Sequence, residues 1–223
     1  MASKAHRVAK GLVGGCALLL GAAVISGCGA PQYTYVANSG QNTYFKVPSG
    51  WHKISPSALS AELQAATGNS GGGWTVAYEA GHAPHASDFL SFDTAQPFVF
   101  AEVGQLSSTG SAQLSYDALR DFFLPVTSTA RTNAAAQQNF PLTGFKQIRD
   151  DVLTPGQGVH GVRETFDYTY AGGISDTFDE IALTNADQTE VYLLVLHCTT
   201  SCYSTDQTMI NNVMSSFTIR SPK

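Results

Sequence analysis

One cysteine near the start of the chain stands where its thiol could accept a lipid. Cys28 follows Ile25-Ser26-Gly27, a short stretch of branched apolar and small residues. Bacterial signal peptides that are cut before an acylated cysteine end in such a lipobox, because the acyl-transfer step requires a cysteine directly after it. The spacing predicts cleavage after Gly27 and lipidation of Cys28. Two acyl chains would give stable anchoring, where one chain gives marginal membrane binding.

The residues before Cys28 have the composition of a removable leader. Residues 1–10 carry three basic residues and no acid, and residues 11–27 are uncharged and mostly apolar. This run is shorter and richer in glycine than the ~20 apolar residues of a spanning helix. The alternative is an uncleaved anchor with a chance cysteine. The leader interpretation divides the chain into a signal peptide, residues 1–27, a lipidated tether, residues 28–42, and one α+β domain, residues 43–223.

The charge of the chain bears on its partners. The full chain has 12 basic and 17 acidic residues, and removal of the leader leaves 9 basic residues against the same 17 acids, a formal charge of −8. This balance argues against nucleic acid as a partner and against electrostatic attraction to anionic lipid head groups. The apolar content of 43% is enough for a folded core. The membrane is therefore expected as a partner through the lipid anchor only.

Two further cysteines stay with the mature chain and lie four positions apart. Cys198 and Cys202 are an even pair, and in an exported protein an even pair predicts a disulfide bond. The alternatives are a redox site or half of a zinc site. A redox pair is usually C-x-x-C, and a structural zinc needs two more ligands. The spacing therefore favours a structural disulfide.

A histidine-rich loop is the candidate metal site. His82, His85 and Asp88 form H-x-x-H-x-x-D, and imidazole and carboxylate groups are suitable ligands for a divalent ion. Histidines in exposed loops are common, and the spacing matches no established class of metal site. A divalent metal is thus an open alternative, and no other cofactor is expected.

Two glycine motifs resemble catalytic or nucleotide-binding sequences. Gly156 to Gly161 matches G-x-G-x-x-G, but a strand follows it where a dinucleotide site requires a helix, so a hairpin turn is predicted. Ser70 lies in a G-x-S-x-G match between a helix and a strand, the reverse of a nucleophile elbow. A hydrolase could use Ser70, with His197 as its base, only if the fold brought the two together. No catalytic residue is assigned, and the chain is not expected to be an enzyme.

The periodicity predicts one antiparallel sheet with helices. Short strands are expected at residues 43–48, 74–78 and 98–103, with helices opened by Ser55-Pro56 and by Ser115 and a weaker helix within residues 129–139. Four consecutive strands are expected at residues 145–153, 159–170, 175–183 and 190–197, and residues 191–196, apolar on both faces, are expected to belong to the central strand. In the second of these, Arg163, Thr165, Asp167 and Thr169 are expected to face water. A capping box at Ser204-Thr205-Asp206-Gln207 is expected to open a final helix packed on the sheet.

The two ends of the domain resemble a known family. Phe45-Lys46-Val47-Pro48-Ser49-Gly50-Trp51 resembles the F-x-x-P-x-G-W opening motif of PsbP-like domains, and the helix running into Ser215-Ser216-Phe217 resembles their closing helix. The resemblance implies an antiparallel sheet sandwiched by helices. The family includes extrinsic photosystem subunits and many bacterial lipoproteins, and no functional residue is transferred from it.

Three functions follow as hypotheses. The leading one is a membrane-anchored exported lipoprotein that acts as a non-enzymatic binding or assembly module, with a protein of the cell envelope as its partner. The second is a lipoprotein that binds a small ligand or a divalent metal through residues 82–93. The third is a hydrolase that uses Ser70.

Overall fold

The computed structural model describes residues 32–67, 73–81, 83–89, 91, 94–138, 140–170 and 172–220. The strands are β1 Tyr33–Asn38, β2 Thr43–Pro48, β3 His52–Lys53, β4 Trp74–Glu79, β5 Phe98–Gln105, β6 Leu142–Gly156, β7 Val159–Tyr170, β8 Ser175–Thr184, β9 Glu190–Thr199 and β10 Thr218–Ile219. The helices are α1 Pro56–Thr67, a 3₁₀ helix Ala86–Phe89, α2 Ser108–Gln113, α3 Tyr116–Arg120, α4 Ser128–Ala135 and α5 Thr200–Met214.

Two antiparallel sheets form the framework. Seven strands make a large sheet in the order β3-β4-β5-β9-β8-β7-β6, and three make a small sheet in the order β1-β2-β10. Every pairing between neighbouring strands is antiparallel. The last four strands of the large sheet follow one another in the chain, and short turns can connect antiparallel neighbours of this kind.

The large sheet is buried on both faces. On one face the small sheet and α5 cover it, through side chains such as Phe45, Val47 and Ile210. On the other face α1, the 3₁₀ helix and α3 cover it, through Leu59, Phe89 and Leu119. The antiparallel sheet therefore lies between helices, and the α+β fold class predicted from the sequence is confirmed.

The central strand is β9, as its composition predicts. Residues 191–198 are all buried, and β9 pairs with β5 on one side and with β8 on the other. Strands that are covered on both faces lose the alternation of polar and apolar residues. The apolar run at residues 191–196 is the sequence signature of this position.

The predicted polar face of β7 is not open to water. Thr165 and Asp167 are both buried, because α5 packs over this face of the sheet. Asn211 of α5 contacts Arg163 of β7, and Tyr203 of α5 contacts Asp179 of β8. The expectation of one buried and one wet face is wrong for β7, where polar residues meet a polar side of the helix.

The predicted tether contains a strand. Residues 33–38 form β1, which pairs with the whole of β2, and Val36 of β1 is buried opposite Phe45. Gly40 and Asn42 lie in the connection between β1 and β2, where Asn42 takes a positive φ of 52°. The boundary predicted at residue 43 is therefore wrong, and the domain already includes β1.

The final helix begins earlier than predicted. The side chain of Thr199 accepts a hydrogen bond from the backbone N–H of Cys202 at 3.4 Å, so α5 begins at Thr200 and the capping box at Ser204 is wrong. The other two predicted helix starts are confirmed. Ser55 accepts a bond from the N–H of Ala58 at 3.3 Å, and Ser115 accepts one from the N–H of Ala118 at 3.0 Å.

Candidate functional site

The predicted lipidation site lies outside the part of the chain that the structure describes. Cys28 and the leader, residues 1–27, precede the first described residue, Gln32. Within the described residues no helix is both long and apolar enough to cross a membrane. Lipidation of Cys28 stays a prediction from the sequence.

The candidate metal site is described only in part. His82 lies outside the described residues, as Asp93 does. The backbone N–H of His85 donates to Oε2 of Glu79 at 3.1 Å, and the pKa of Glu79 is raised mainly by burial and further by the nearby Asp88. No three histidines, cysteines or carboxylates among the described residues are grouped as ligands. His85 and Asp88 alone do not assemble a metal site, and a site that includes His82 stays a prediction.

The glycine-rich motif forms the turn between β6 and β7, as predicted. Gly156, Gln157 and Gly158 have φ values of 111°, 57° and 80°, and Gly156 pairs with Val159. Positive φ favours glycine because a Cβ is disfavoured there. The motif is a hairpin turn and not a nucleotide site.

The two cysteines are joined by a disulfide bond, as predicted. It links Cys198 near the end of β9 to Cys202 in the first turn of α5, with a Cα–Cα distance of 5.9 Å. The bond fixes the direction in which α5 leaves the sheet. Its place between a strand and a helix explains the spacing of four residues.

His197 forms a buried pair with a carboxylate. Nδ1 of His197 lies 3.2 Å from Oδ2 of Asp176, and its ring stacks on Phe178 at 5.2 Å between centroids. Nε2 has no hydrogen-bond partner among the described residues, and Ser70 lies outside them. The arrangement is an aspartate–histidine pair beside aromatic side chains. No hydroxyl or thiol group of the described residues is hydrogen-bonded to Nε2 of this histidine.

A satisfied ionic network lies between the sheet and α5. Arg163 donates from Nε and Nη2 to the two carboxylate oxygens of Asp179, at 2.9 and 2.7 Å. Nη2 also donates to Oδ1 of Asn211 at 3.0 Å, and the hydroxyl of Tyr203 donates to Asp179 at 2.9 Å. Bidentate pairs with additional hydrogen bonds are the geometry in which a buried ion pair is tolerated.

Two carboxyl groups face each other on the opposite side of the same strands. Glu164 of β7 and Glu180 of β8 are cross-strand partners, and both are fully buried. Within the described residues Oε2 of Glu164 has no hydrogen-bond partner, and neither oxygen of the Glu180 carboxyl makes a hydrogen bond of normal geometry, although the backbone N–H of Phe123 lies near enough to lower its pKa. Burial raises the pKa of Glu164 to about 8 and raises the pKa of Glu180 well above its ordinary value. Burial therefore favours the neutral form of both groups.

Arg120 of α3 partly screens this carboxyl pair. Its Nε lies 3.6 Å from Oε1 of Glu164, while its guanidinium also binds Asp150 and Asp117, each at 2.9 Å. The positive charge of Arg120 lowers the pKa of Glu164, but burial has the larger effect. No sequence pattern marks Glu164, Glu180 or Arg120 as part of a site. A single glutamate in an alternating strand is typical of an exposed position.

An open apolar groove of about 400 Å³ lies beside the small sheet. One wall is the end of β6, residues 152–155, and the other is residues 217–219, which include β10. Ile181 and Leu183 of β8 form its floor. The cross-strand row here runs Leu153, Gly161, Leu183, so its middle position contributes no side chain. No sequence pattern indicates this groove, because it depends on where β10 lies relative to β6.

Hydrophobic side chains stand exposed along the β6 wall. Val152, at the rim of the groove, has 54% of its surface exposed, and Ile148, on the same strand but outside the groove, has 52%. β6 is an edge strand of the large sheet and carries register shifts, a feature that protects an edge against pairing with other chains. Pairing of a further strand is therefore disfavoured at the outer edge of β6, whereas the groove stays open for binding.

Comparison with known proteins finds similarity among solved structures only. No protein-family model and no curated protein matches the chain. The PsbP protein of Synechocystis sp. PCC 6803, CyanoP, is similar with a TM-score of 0.48 and 16% identity over 87% of this chain and 96% of its own.

Two further solved structures show similarity at the same level. LpqN of Mycobacterium tuberculosis, described as involved in cell envelope biogenesis, has a TM-score of 0.43 and 15% identity over 85% of this chain and 91% of its own. The Ran-binding protein Mog1p of Saccharomyces cerevisiae has a TM-score of 0.46 and 8% identity over 84% and 95%. The fold class itself follows from the strand order and the two covered faces of the large sheet.

Proposed function

We propose that this protein is an exported lipoprotein, anchored through Cys28, whose domain is a non-enzymatic binding module at the cell envelope. The observation that carries the proposal is the apolar groove between β6 and β10. A volume of about 400 Å³ lies within the ~300–1,000 Å³ of typical binding pockets. The lipobox supplies the membrane location, and the groove supplies a surface on which a partner can be held.

The proposed partner is a protein of the envelope that enters the groove with an extended segment. β10 is the edge strand of the small sheet, and both of its residues, Thr218 and Ile219, line the groove. An edge strand offers backbone N–H and C=O groups to a further strand. Alternate side chains of such a segment would point to the floor formed by Ile181 and Leu183. Main-chain pairing with side-chain pockets is a recurring way of binding peptides.

The test compares two lipidated variants in their own membranes. Val152→Lys places a charge at the rim of the groove, and Ile148→Lys places one on the same strand outside it, at nearly the same exposure. Each variant and the parent are crosslinked in intact cells, purified and examined by mass spectrometry. We expect one envelope protein to be recovered with the parent and with Ile148→Lys, and to be lost with Val152→Lys. Equal recovery with all three, or with none, contradicts binding of a protein in the groove.

A small apolar ligand is the second candidate, and the size of the groove favours it as well. In that case the purified mature protein should show a rise in melting temperature on addition of lipid extracts from the envelope. Val152→Lys should remove this rise, and Ile148→Lys should keep it. The metal alternative predicts instead a change in melting temperature on addition of EDTA that neither variant affects.

A further inference from the structure

The start of the mature chain contains basic residues and no acidic ones. The first acidic residue in the whole sequence is Glu62, whereas Lys46 and Lys53 lie between Cys28 and that position. The mature chain as a whole carries a formal charge of −8. β1 and β2 therefore carry one positive charge, that of Lys46, and no negative charge in an otherwise acidic protein.

The register of the small sheet separates an inner from an outer face. Val36 pairs with Phe45, and both are buried against the large sheet. Side chains alternate along a strand, so the neighbouring pair of Tyr35 with Lys46 belongs to the outer face. Tyr35 has 78% of its surface exposed. We call this outer face the tyrosine face; it consists of Tyr33, Tyr35, Tyr44 and Lys46, with Arg220 beside them.

Both cations of the tyrosine face lie on aromatic rings. Nζ of Lys46 is 4.2 Å from the ring centroid of Tyr33, and Cζ of Arg220 is 4.6 Å from that of Tyr44. No salt bridge within the described residues uses either cation, and β1, β2 and β10 contain no aspartate or glutamate. Their charge is therefore open to an external anion. Tyrosine rings together with lysine and arginine are the residue types that favour the interface between membrane and water.

The chain enters this face directly from the predicted lipid anchor. Tyr33 is five residues after Cys28, and five extended residues span at most ~18 Å. The inclusion of β1 in the domain makes this separation much shorter than the tether predicted over residues 28–42. Of the strands of the domain, β1 has the shortest chain path to Cys28. An anchor at Cys28 would therefore keep the small sheet near the bilayer.

We infer that the tyrosine face rests on the bilayer, with Lys46 and Arg220 bound to anionic lipid head groups and the tyrosine rings in the interfacial layer. This inference rests on the lipid anchor of the proposed function. The negative charge of the remaining domain is repelled by the same lipids, which favours one orientation over others. The groove shares β10 with this sheet, so a bound segment would lie beside the membrane surface.

The test uses the mature lipidated protein in vesicles of phosphatidylcholine, with and without phosphatidylglycerol, prepared with brominated acyl chains that quench tryptophan. Tyr35→Trp reports on the tyrosine face. Tyr170→Trp, at an exposed position at the end of β7, is the control. Trp51 and Trp74 of the parent give the background quenching. We expect more quenching than this background for Tyr35→Trp and no increase for Tyr170→Trp. The effect should be largest with phosphatidylglycerol and fall with added salt.

Neutralising the cations tests the electrostatic part of the inference. In the Tyr35→Trp background, Lys46→Gln and Arg220→Gln should each lower the ratio of docked to undocked molecules about fivefold on anionic vesicles. Lys146→Gln, which removes an exposed cation of β6, should leave the ratio unchanged. Equal quenching at the two tryptophan positions in a protein that floats with the vesicles overturns the orientation and leaves the anchor standing. Failure to float with the vesicles contradicts the anchor itself.

Discussion

The two faces of the β7–β8 strand pair bury charged residues in opposite ways. On the face toward α5, Arg163 and Asp179 form a bidentate pair, and Asn211 and Tyr203 supply further hydrogen bonds. On the face toward α3, the directly opposed Glu164 and Glu180 have three carboxyl oxygens that make no hydrogen bond of normal geometry within the described residues. The first arrangement stabilises ionised groups, and the second favours neutral ones. Of two adjacent residues of β8, Asp179 therefore lies against the guanidinium of Arg163, whereas burial favours the neutral form of Glu180.

The largest difference in the free energy of unfolding should appear between variants in which Asp179 or Glu180 is changed to its amide. Asp179→Asn leaves the guanidinium of Arg163 buried without its counter-charge, and we expect the free energy of unfolding to fall by about 3–5 kcal/mol. Glu180→Gln keeps the shape of the side chain, and because burial disfavours the ionised form of Glu180 we expect a change below ~1 kcal/mol. Urea denaturation at pH 7 measures both. Similar losses for the two variants would show that the two faces do not differ in charge state.

Glu164 should make the free energy of unfolding vary with pH. Its pKa in the folded protein is about 8, above the ordinary 4.5, so between these values the folded state binds a proton that the unfolded state has released. Its contribution to stability is therefore full below about pH 4.5 and is lost as the pH rises toward 8, by at most ~1.4 kcal/mol per pH unit. Glu164→Gln lacks this loss. The stability of Glu164→Gln relative to the parent should rise by up to ~2.7 kcal/mol from pH 5 to pH 7.

Urea denaturation of the parent and Glu164→Gln at several pH values tests this expectation. Arg163→Gln is not a suitable control, because it disturbs the ionic network. Lys146→Gln, on the exposed edge strand, should keep the pH dependence of the parent. If the difference in free energy of unfolding between the parent and Glu164→Gln did not vary from pH 5 to pH 7, Glu164 would be ionised throughout this range.

Reduction of the disulfide should affect only the face of the β7–β8 strand pair that packs against α5. The bond between Cys198 and Cys202 closes a small loop, for which chain entropy gives a stabilisation of roughly 2 kcal/mol. Cys202 lies in the first turn of α5, next to Tyr203, so reduction should loosen the side of the sheet that holds Asp179. We expect dithiothreitol to lower the free energy of unfolding by about 2 kcal/mol without altering the pH dependence from Glu164. A changed pH dependence would show that the two faces are coupled.

The smallest effect is expected from Arg120. Its ion pairs with Asp117 and Asp150 are partly exposed, so Arg120→Gln should cost less than ~1 kcal/mol at pH 7. Because Arg120 lowers the pKa of Glu164, its loss should move the end of the pH-dependent region upward. Stability measured between pH 7 and pH 9 detects this shift. A shift to lower pH would contradict the position of Arg120 beside Glu164.

The elements with strong periodicity could be predicted from the sequence. The four C-terminal strands, the central position of β9 and the glycine-rich hairpin follow from apolar runs, alternation and positive-φ residues. β1 was missed because it lies within the residues assigned to the tether, although its tyrosine, threonine and valine residues favour a strand. The start of α5 was misplaced because Thr199 caps a helix whose first turn also holds a disulfide.

The candidate site was harder to predict than the fold. Glu164 and Glu180 are buried by the placement of α3, and Arg163 is covered by α5, which strand periodicity does not reveal. The groove depends on a gap between β6 and β10, two strands that are distant in the chain. The tyrosine face depends on register, which places Tyr35 and Lys46 together on the outer side of the small sheet.

The lipid anchor at Cys28 is the premise of both proposals, and the intact mass of the protein extracted from its own membranes tests it most directly. We predict a chain that begins at Cys28 and carries a mass increment of a diacylglyceryl group, with or without a further amide-linked acyl chain. Cys28→Ala should abolish the increment and release the protein from the membrane fraction. A chain that retains residues 1–27, or one that begins elsewhere without an acyl increment, would contradict the anchored lipoprotein.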